Sequence, residues 1–231
     1  MIKNFLPGIH VGIIPDGNRR YCKKNNTTLT KLLNKWTKEK LENFLDEINK
    51  NELEKKFKEI DTISFYMMSK DNLTKRGGCD VEVIFKALDY FVNLYTDAIN
   101  DKSHKYHNNL IQVRIKVIGD LKLLSRETRE KIKLLEKPSK KFIKNKKLLI
   151  RIAFAYDPIK DTKNIINNKR KTRMIDLVIR TSGEKRLSGF FPIESMYSEF
   201  MFLDKLWPEF EIADLENCMI DFSKRNRRFG K

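Results

Sequence analysis

Two short stretches hold residues whose types and spacing suit the chemistry of phosphate esters. The first is Ile13-Ile14-Pro15-Asp16-Gly17-Asn18-Arg19-Arg20-Tyr21. An apolar run enters a proline, then an acid, a glycine, an amide and two arginines. Gly17 permits a tight turn and a close backbone approach to a ligand. Asp16 offers a hard oxygen to Mg2+, and Arg19 and Arg20 offer planar forks to phosphate oxygens. The plainer alternative is an Asp-Gly turn leading into a helix whose arginines are solvated. The second stretch is Ile179-Arg180-Thr181-Ser182-Gly183-Glu184-Lys185-Arg186-Leu187-Ser188. The guanidinium groups of Arg180 and Arg186, the Ser188 hydroxyl and the backbone N–H groups of small residues suit a diphosphate. Its plainer alternative is a basic surface loop. Both stretches follow a β-rich run, and two such coincidences in one chain weaken the plain reading of each.

The elements that must position these residues follow from hydrophobic periodicity. Short β-rich runs at Val11–Ile14, Thr62–Met68, Gln112–Ile118, Leu148–Ala155, Leu177–Thr181 and Phe200–Leu203 are nearly continuous in apolar residues. That pattern marks strands covered on both faces. Between them, helical spacing predicts helices over Leu29–Asn51, Val81–Asp101 and Arg126–Glu136, with a last one over Leu215–Arg227. The alternation implies an α/β fold with one mostly parallel sheet flanked by helices on both faces. Ligands of such a sheet bind beyond the carboxyl ends of its strands, where both stretches lie. The run Asp157–Arg173, rich in Lys, Asn and Arg, reads as a solvated or mobile connection, with a basic anion-binding flap as the alternative.

At 231 residues the chain suits a single domain spanning 1–231. With 48 Lys and Arg against 31 Asp and Glu, its formal net charge is +17, so anionic partners are expected. Nucleic acid, an anionic membrane surface touched peripherally, and phosphorylated small molecules all satisfy that charge. A nucleic-acid-binding module is disfavoured because the basic residues are dispersed and no helix-turn-helix, finger or RNA-binding aromatic motif occurs. The three cysteines, Cys22, Cys79 and Cys218, are far apart, which opposes a disulfide framework or zinc site and fits a reducing, cytoplasmic compartment. The opening residues lack the pattern of a signal peptide, and no apolar run reaches spanning length. His104 and His107 read as solvent-exposed, His10 as a structural residue just before the first strand, and Trp36 and Trp207 as core. Met67 and Met68 read as half core, half pocket wall.

The two chemical stretches together resemble the cis-prenyltransferases, the Z-type prenyl diphosphate synthases. His10 to Tyr21 looks like that family's first signature, and Asp176 to Ser188 looks like its late one. Ser69-Lys70-Asp71-Asn72 is similar to the family's Ser-x-Glu-Asn segment. Tyr197-Ser198-Glu199, Leu206-Trp207-Pro208-Glu209-Phe210 and Arg227-Arg228-Phe229-Gly230 follow in the family's order. The resemblance implies a Mg2+-dependent condensation of an allylic diphosphate with isopentenyl diphosphate. It implies that Asp16 holds the Mg2+, with Glu199 serving the metal or its water shell. Gly17, Asn18, Arg19 and Arg20 would cradle the allylic diphosphate, Asn18 also lying near the proton lost from the acceptor. Ser69 and Asn72 would line the reaction centre. Arg180, Arg186 and Ser188 would bind the diphosphate of isopentenyl diphosphate. Arg228 and Gly230 would reach the site from the partner subunit of a homodimer.

The chain also departs from that pattern. Members carry an Arg and a Gly-His pair after the first signature; here the matching positions are Leu29, Leu32 and Leu33. Lys31 or Lys35 replaces them only in a different helix register, and a Lys lacks the bidentate fork. Lys75, or Arg76 with a shift of one, stands for the Arg after the middle segment, and Leu73 stands for its aromatic. Met67 replaces a small residue, which narrows a prenyl tunnel and implies a short product. Gly189-Phe190-Phe191-Pro192-Ile193-Glu194-Ser195 replaces the usual Phe-Leu-Leu-Trp-Gln. These losses are similar to an irregular branch, the lavandulyl diphosphate synthase type, which couples two dimethylallyl diphosphates head-to-middle. The intact late motif favours the head-to-tail reaction. A silent subunit of a heteromeric enzyme is disfavoured, because Asp16, Arg180 and Arg186 are all present.

Overall fold

The six apolar runs form six strands: β1 (Ile9–Ile14), β2 (Ile60–Tyr66), β3 (Val113–Ile118), β4 (Leu148–Ala153), β5 (Leu177–Arg180) and β6 (Glu199–Phe202). The computed structural model describes residues 8–32, 38, 39, 42, 43, 45, 46, 59–75, 79–141 and 148–227. Every strand pair is parallel, in the order β3-β4-β2-β1-β5-β6. The central β1 pairs with β2 on one side and β5 on the other, so the chain crosses over β1 between β4 and β5. A crevice at such a reversal is the usual ligand site of an open parallel sheet.

Among the described residues the helices with defined bounds are α1 (Asn18–Lys24), α2 (Lys70–Lys75), α3 (Cys79–Asn100), α4 (His107–Leu110), α5 (Arg126–Lys141), α6 (Pro158–Ile166) and α7 (Ile212–Ser223). The predicted helix over Leu29–Asn51 is helical at 29–32, and most of it, with Leu33, Lys35 and Trp36, lies outside the described residues, as does Arg76. The last helix ends at Ser223, not Arg227, because Arg225 and Arg227 turn back to pair with Glu199 and Asp176.

The two sheet faces differ in kind, and register explains how. Val11, Ile63, Ile150, Ile115 and Leu177 are cross-strand neighbours on one face. That face is apolar and is covered by α3, α5 and α7. On the other face His10, Thr62, Ser64 and Arg151 sit in the middle, ringed by Ile14, Ile118, Ala153 and Val178. Phe190 and Phe191 cover this ring, and beside them Glu194 is fully buried. Glu194 accepts from Arg151 Nη2 at 2.7 Å and from Arg170 at 3.1 Å, and Arg170 also pairs with Asp161 of α6 at 2.6 Å. Burial of four charges is tolerable only because each carboxylate is paired and hydrogen-bonded.

This overturns the reading of Asp157–Arg173 as a solvated connection. Asp157 caps α6 by accepting from the N–H groups of Ile159 and Lys160, with Pro158 at the first helical turn, and Arg170 anchors the segment's end. His10 lies inside β1 rather than before it, buried, bonded to Ser64 Oγ at 2.8 Å and to the Met174 carbonyl at 3.0 Å. Burial, followed by the field of Arg151, pushes it down to about 3, so it is neutral and structural. His104 and His107 are half-buried rather than exposed, and His107 Nδ1 lies 2.8 Å from the Ala98 carbonyl. Trp207 packs on Phe65 and Phe210 as expected of a core residue.

Candidate active site

The carboxyl ends of β1 and β5 are neighbours, and this brings the two chemical stretches together. Asp16 follows β1 by two residues. Its N–H donates to Thr181 Oγ1 at 2.9 Å, and the Thr181 hydroxyl donates to the Asp16 carbonyl at 2.7 Å. The Trp207 N–H donates to the same carbonyl at 2.9 Å. Gly17 starts α1 with φ of 103°, a left-handed conformation, and its N–H donates to Asp16 Oδ1 at 2.7 Å. Arg180 Nη2 donates to Asp16 Oδ2, also at 2.7 Å. Burial raises the Asp16 pKa, but the bonds from Arg180 and the Gly17 N–H outweigh it and hold the carboxyl below the usual carboxylate range. Asp16 is therefore an ionised, partly exposed carboxylate at neutral pH.

Arg180 is 3% exposed. Its Nη1 donates to Ser188 Oγ at 2.9 Å and to the Arg186 carbonyl. One guanidinium thus joins Asp16, Arg186 and Ser188, all three of which the sequence assigned to diphosphate chemistry. Arg20 reaches the same place from α1. It donates to the Ser182 carbonyl at 2.9 Å and to Ser182 Oγ at 2.6 Å, and lies 3.9 Å from Asp16 Oδ2. The side chains of Arg20 and Arg186 are 49% and 61% exposed. They are the open cations here, whereas Arg180 reaches a ligand only by releasing an internal partner. Arg19 is exposed on α1. The Asn18 Oδ1 is buried with no hydrogen-bond partner, an arrangement that costs about 1–3 kcal/mol if nothing ever satisfies it. The N–H groups of Ser182 and Gly183, expected to face an anion, instead donate to the Lys205 and Leu203 carbonyls at 2.8 Å.

Ser69 caps α2 by accepting from the Asn72 N–H at 3.0 Å. The link from this segment to the late loop is Tyr66, which sequence reasoning missed. Its hydroxyl donates to the Ser188 carbonyl at 3.0 Å and is hydrogen-bonded with the Ser69 side chain. Burial pushes its phenol up to about 12. Thr181, which clamps Asp16, was likewise only a member of a motif. Lys75 is exposed and paired with Asp71 at 2.8 Å, apart from the Asp16 network. Leu29 is half-buried, Leu32 is buried and Lys31 is exposed. Met68 is buried, whereas Met67 is 37% exposed.

Glu199 does not join Asp16 within one chain. It opens β6 opposite Leu177, at the amino end of β5, and pairs with Arg225 at 3.0 Å. Three strand residues, about 10 Å, separate that level from Arg180. Arg228 and Gly230 lie outside the described residues. No group of three His, Cys, Asp or Glu residues able to hold a metal occurs among the described residues. The donor set around Asp16 nevertheless suits Mg2+, a hard ion that commonly takes one or two carboxylates and completes its shell with phosphate oxygens and water. No helix among the described residues is long and apolar enough to cross a membrane.

Comparison with known proteins agrees with this geometry. A family model described as "Putative undecaprenyl diphosphate synthase" matches residues 14–171 and 159–230. A tritrans,polycis-undecaprenyl-diphosphate synthase (geranylgeranyl-diphosphate specific) of Pyrobaculum aerophilum is 32% identical, covering 96% of this chain and 95% of that protein. The protein of the same name in Thermoplasma acidophilum is also 32% identical, over 100% of this chain and 92% of its own. Among solved structures, lavandulyl diphosphate synthase of Lavandula x intermedia superposes with a TM-score of 0.72 at 22% identity, covering 99% and 100% of the two chains. A probable undecaprenyl diphosphate synthase of Campylobacter jejuni superposes with a TM-score of 0.67 at 25% identity, covering 97% and 99%. With the six-stranded parallel sheet, these matches show that the chain belongs to the cis-prenyltransferase family and is a prenyl diphosphate synthase, an enzyme that transfers prenyl groups.

Proposed function

We propose that this chain, acting as one catalytic domain over 1–231, condenses an allylic diphosphate with isopentenyl diphosphate to give a cis-prenyl diphosphate. The observation that carries the reading is the continuous network joining Asp16, Arg20, Arg180, Arg186 and Ser188 across two adjacent strand ends. In the reaction, the C1–O bond of the allylic substrate breaks and its electron pair leaves on the diphosphate. The isopentenyl double bond supplies the pair for the new C–C bond, and a proton departs from C2. Asp16 would hold Mg2+ together with diphosphate oxygens, and the ion there supplies Lewis-acid stabilisation of the leaving charge. Arg20, with Gly17 and Arg19, takes the allylic diphosphate. Arg186 and Ser188 take that of isopentenyl diphosphate, and Arg180 keeps Asp16 and Ser188 in register. Two anion sites side by side hold two substrates in reacting geometry. Asn18 brings an unsatisfied acceptor to this centre, and Ser69 and Asn72 approach it through Tyr66.

A homodimer in the cytoplasm completes the reading. Arg227 is pinned to Asp176 at 2.6 Å, and Arg225 to Glu199, at the amino end of the sheet. Arg227, the residue before Arg228, is thus held at the end opposite Asp16, which supports delivery of Arg228 and Gly230 to a partner's site. Cys22 and Cys218 are both buried, which fits a reducing compartment. The net charge of +17 leaves peripheral contact with anionic membrane open to its lipid product. Met67, exposed just after β2, would narrow a prenyl tunnel running past it, which supports a product shorter than the undecaprenyl one named for the relatives.

Product analysis of the purified enzyme with Mg2+ tests this. Isopentenyl diphosphate is supplied with dimethylallyl, geranyl, farnesyl or geranylgeranyl diphosphate, the last because it appears in the relatives' names. The expected result is a cis product that requires isopentenyl diphosphate and disappears in Asp16→Ala. A branched product from dimethylallyl diphosphate alone would replace this reading with the head-to-middle one, and unchanged product from Asp16→Ala would refute the mechanism.

A further inference from the structure

Five charged side chains of the site alternate in sign along one line. Arg186 pairs with Glu184, Glu184 lies 3.5 Å from Arg20, Arg20 lies 3.9 Å from Asp16, and Asp16 lies 2.7 Å from Arg180. The inner end is fixed: the Arg180 side chain is 4% exposed and is held by three acceptors. The outer end is open. Glu184 is 31% exposed between two arginines that are 49% and 61% exposed. Exposed pairs of this kind are weak and exchange partners readily. Glu184 therefore occupies, with its own carboxylate, the cations that the proposed function gives to the two substrates.

We propose that Glu184 is an internal counter-ion, which neutralises Arg20 and Arg186 in the empty site and which each diphosphate must displace. The inference rests on the reading of Arg20 and Arg186 as diphosphate ligands. Its logic is competition. A carboxylate carries one negative charge and two acceptor oxygens, and here each oxygen serves a different arginine. A diphosphate offers more charge and more oxygens, so it wins, but its net affinity is lowered by the charge it displaces. The benefit is organisation. In the empty site Glu184 offsets the repulsion between Arg20 and Arg186 across the gap it spans, a task that a bound diphosphate takes over. Glu184 is thus a positioning residue shared by both anion sites, and it couples them, because whatever draws one arginine away changes what holds the other.

Direct binding of inorganic pyrophosphate to the full chain, measured by calorimetry, tests this with a readout that loss of structure would not give. Removing a merely structural contact weakens binding, whereas removing a competitor strengthens it. Glu184→Gln keeps the shape of the side chain and removes its charge. The expected result is pyrophosphate affinity about fivefold tighter than in the wild type, with a steeper salt dependence from the two uncompensated arginines. The KM for isopentenyl diphosphate should fall with it. Glu184→Asp, which keeps the charge but cannot span both arginines, should gain less than Glu184→Gln. Equal or weaker binding in Glu184→Gln, or an equal gain in Glu184→Asp, overturns the inference. A wild type that does not bind pyrophosphate overturns it together with the assignment of the arginines on which it rests.

Discussion

Asp16 is gripped from three directions: by Thr181 and Trp207 on its backbone, by the Gly17 N–H on one oxygen and by Arg180 on the other. Each grip favours the ionised form or fixes its direction, and together they present a carboxylate that need not reorganise when charge develops nearby. The Arg180 side chain is what makes the arrangement cooperative, since its Nη2 serves Asp16 while its Nη1 serves Ser188 and the Arg186 carbonyl. A lysine has the charge but one ammonium, which cannot bond both sides of that fork at once. Arg180→Lys should therefore keep the fold, lose about 1–3 kcal/mol of stability from acceptors left unpaired, and lose about a hundredfold in kcat/KM. Urea unfolding and steady-state kinetics measure the two effects. A kcat/KM within about twofold of the wild type would show that charge alone suffices and that the fork is incidental.

The strand ends explain how residues so far apart in the chain meet, and they also mark what the sequence made legible. All six strands fall within two residues of the runs expected from apolar content, because strands covered on both faces are rich in apolar residues, even with His10, Thr62, Ser64 and Arg151 buried among them. The motif residues Asp16, Arg20, Arg180, Arg186 and Ser188 were legible as a set for the same reason, as they follow strands that the alternation makes parallel. What was not legible is tertiary. Arg170 looks like one of many surface cations, yet it closes the buried network of Asp161, Glu194 and Arg151, and nothing local announces this. Tyr66 ends a strand like any aromatic, and its contact with the Ser188 carbonyl spans 122 residues. The cap of α6, in contrast, stood in plain view as Asp157-Pro158, but the basic composition after it masked the signal. At the scale of these elements, the turn from β1 to α1 is the most demanding. Gly17 has φ of 103°, and a Cβ there would lie 2.8 Å from Leu206 Cδ2 and 3.0 Å from Ser182 Cβ. Gly17→Ala should cost roughly 1–3 kcal/mol in backbone strain alone and push Asp16 away from Arg180. Thermal unfolding should show the loss of stability, and kcat/KM should fall at least about tenfold. A variant as stable and active as the wild type would mean that the turn relaxes without cost.

At the scale of the whole molecule, the sheet sorts its tasks by direction. Its carboxyl edge carries the Asp16–Arg180 centre, and its amino edge carries the pairs Arg227–Asp176 and Arg225–Glu199. The chain from Asp176 to Thr181 is extended over five residues, about 16 Å, and this distance separates the two ends. Arg227 is held at the amino edge, away from its own Asp16, so the proposed role of Arg228 at a diphosphate asks for another copy of the chain. That demand is specific enough to test by complementation. Asp16→Ala and Arg228→Ala would each be inactive alone. In a mixed dimer, the Asp16→Ala subunit lends its intact ending to the intact Asp16 of the other, restoring one site, while the second site carries both defects. Unfolding and refolding an equal mixture should place half of the chains in mixed dimers and return about a quarter of the wild-type activity. If the ending served its own subunit, every site would carry one defect and mixing would restore nothing. Activity rising with the fraction of mixed dimers thus fixes both the symmetry of the assembly and the identity of the subunit that completes each site.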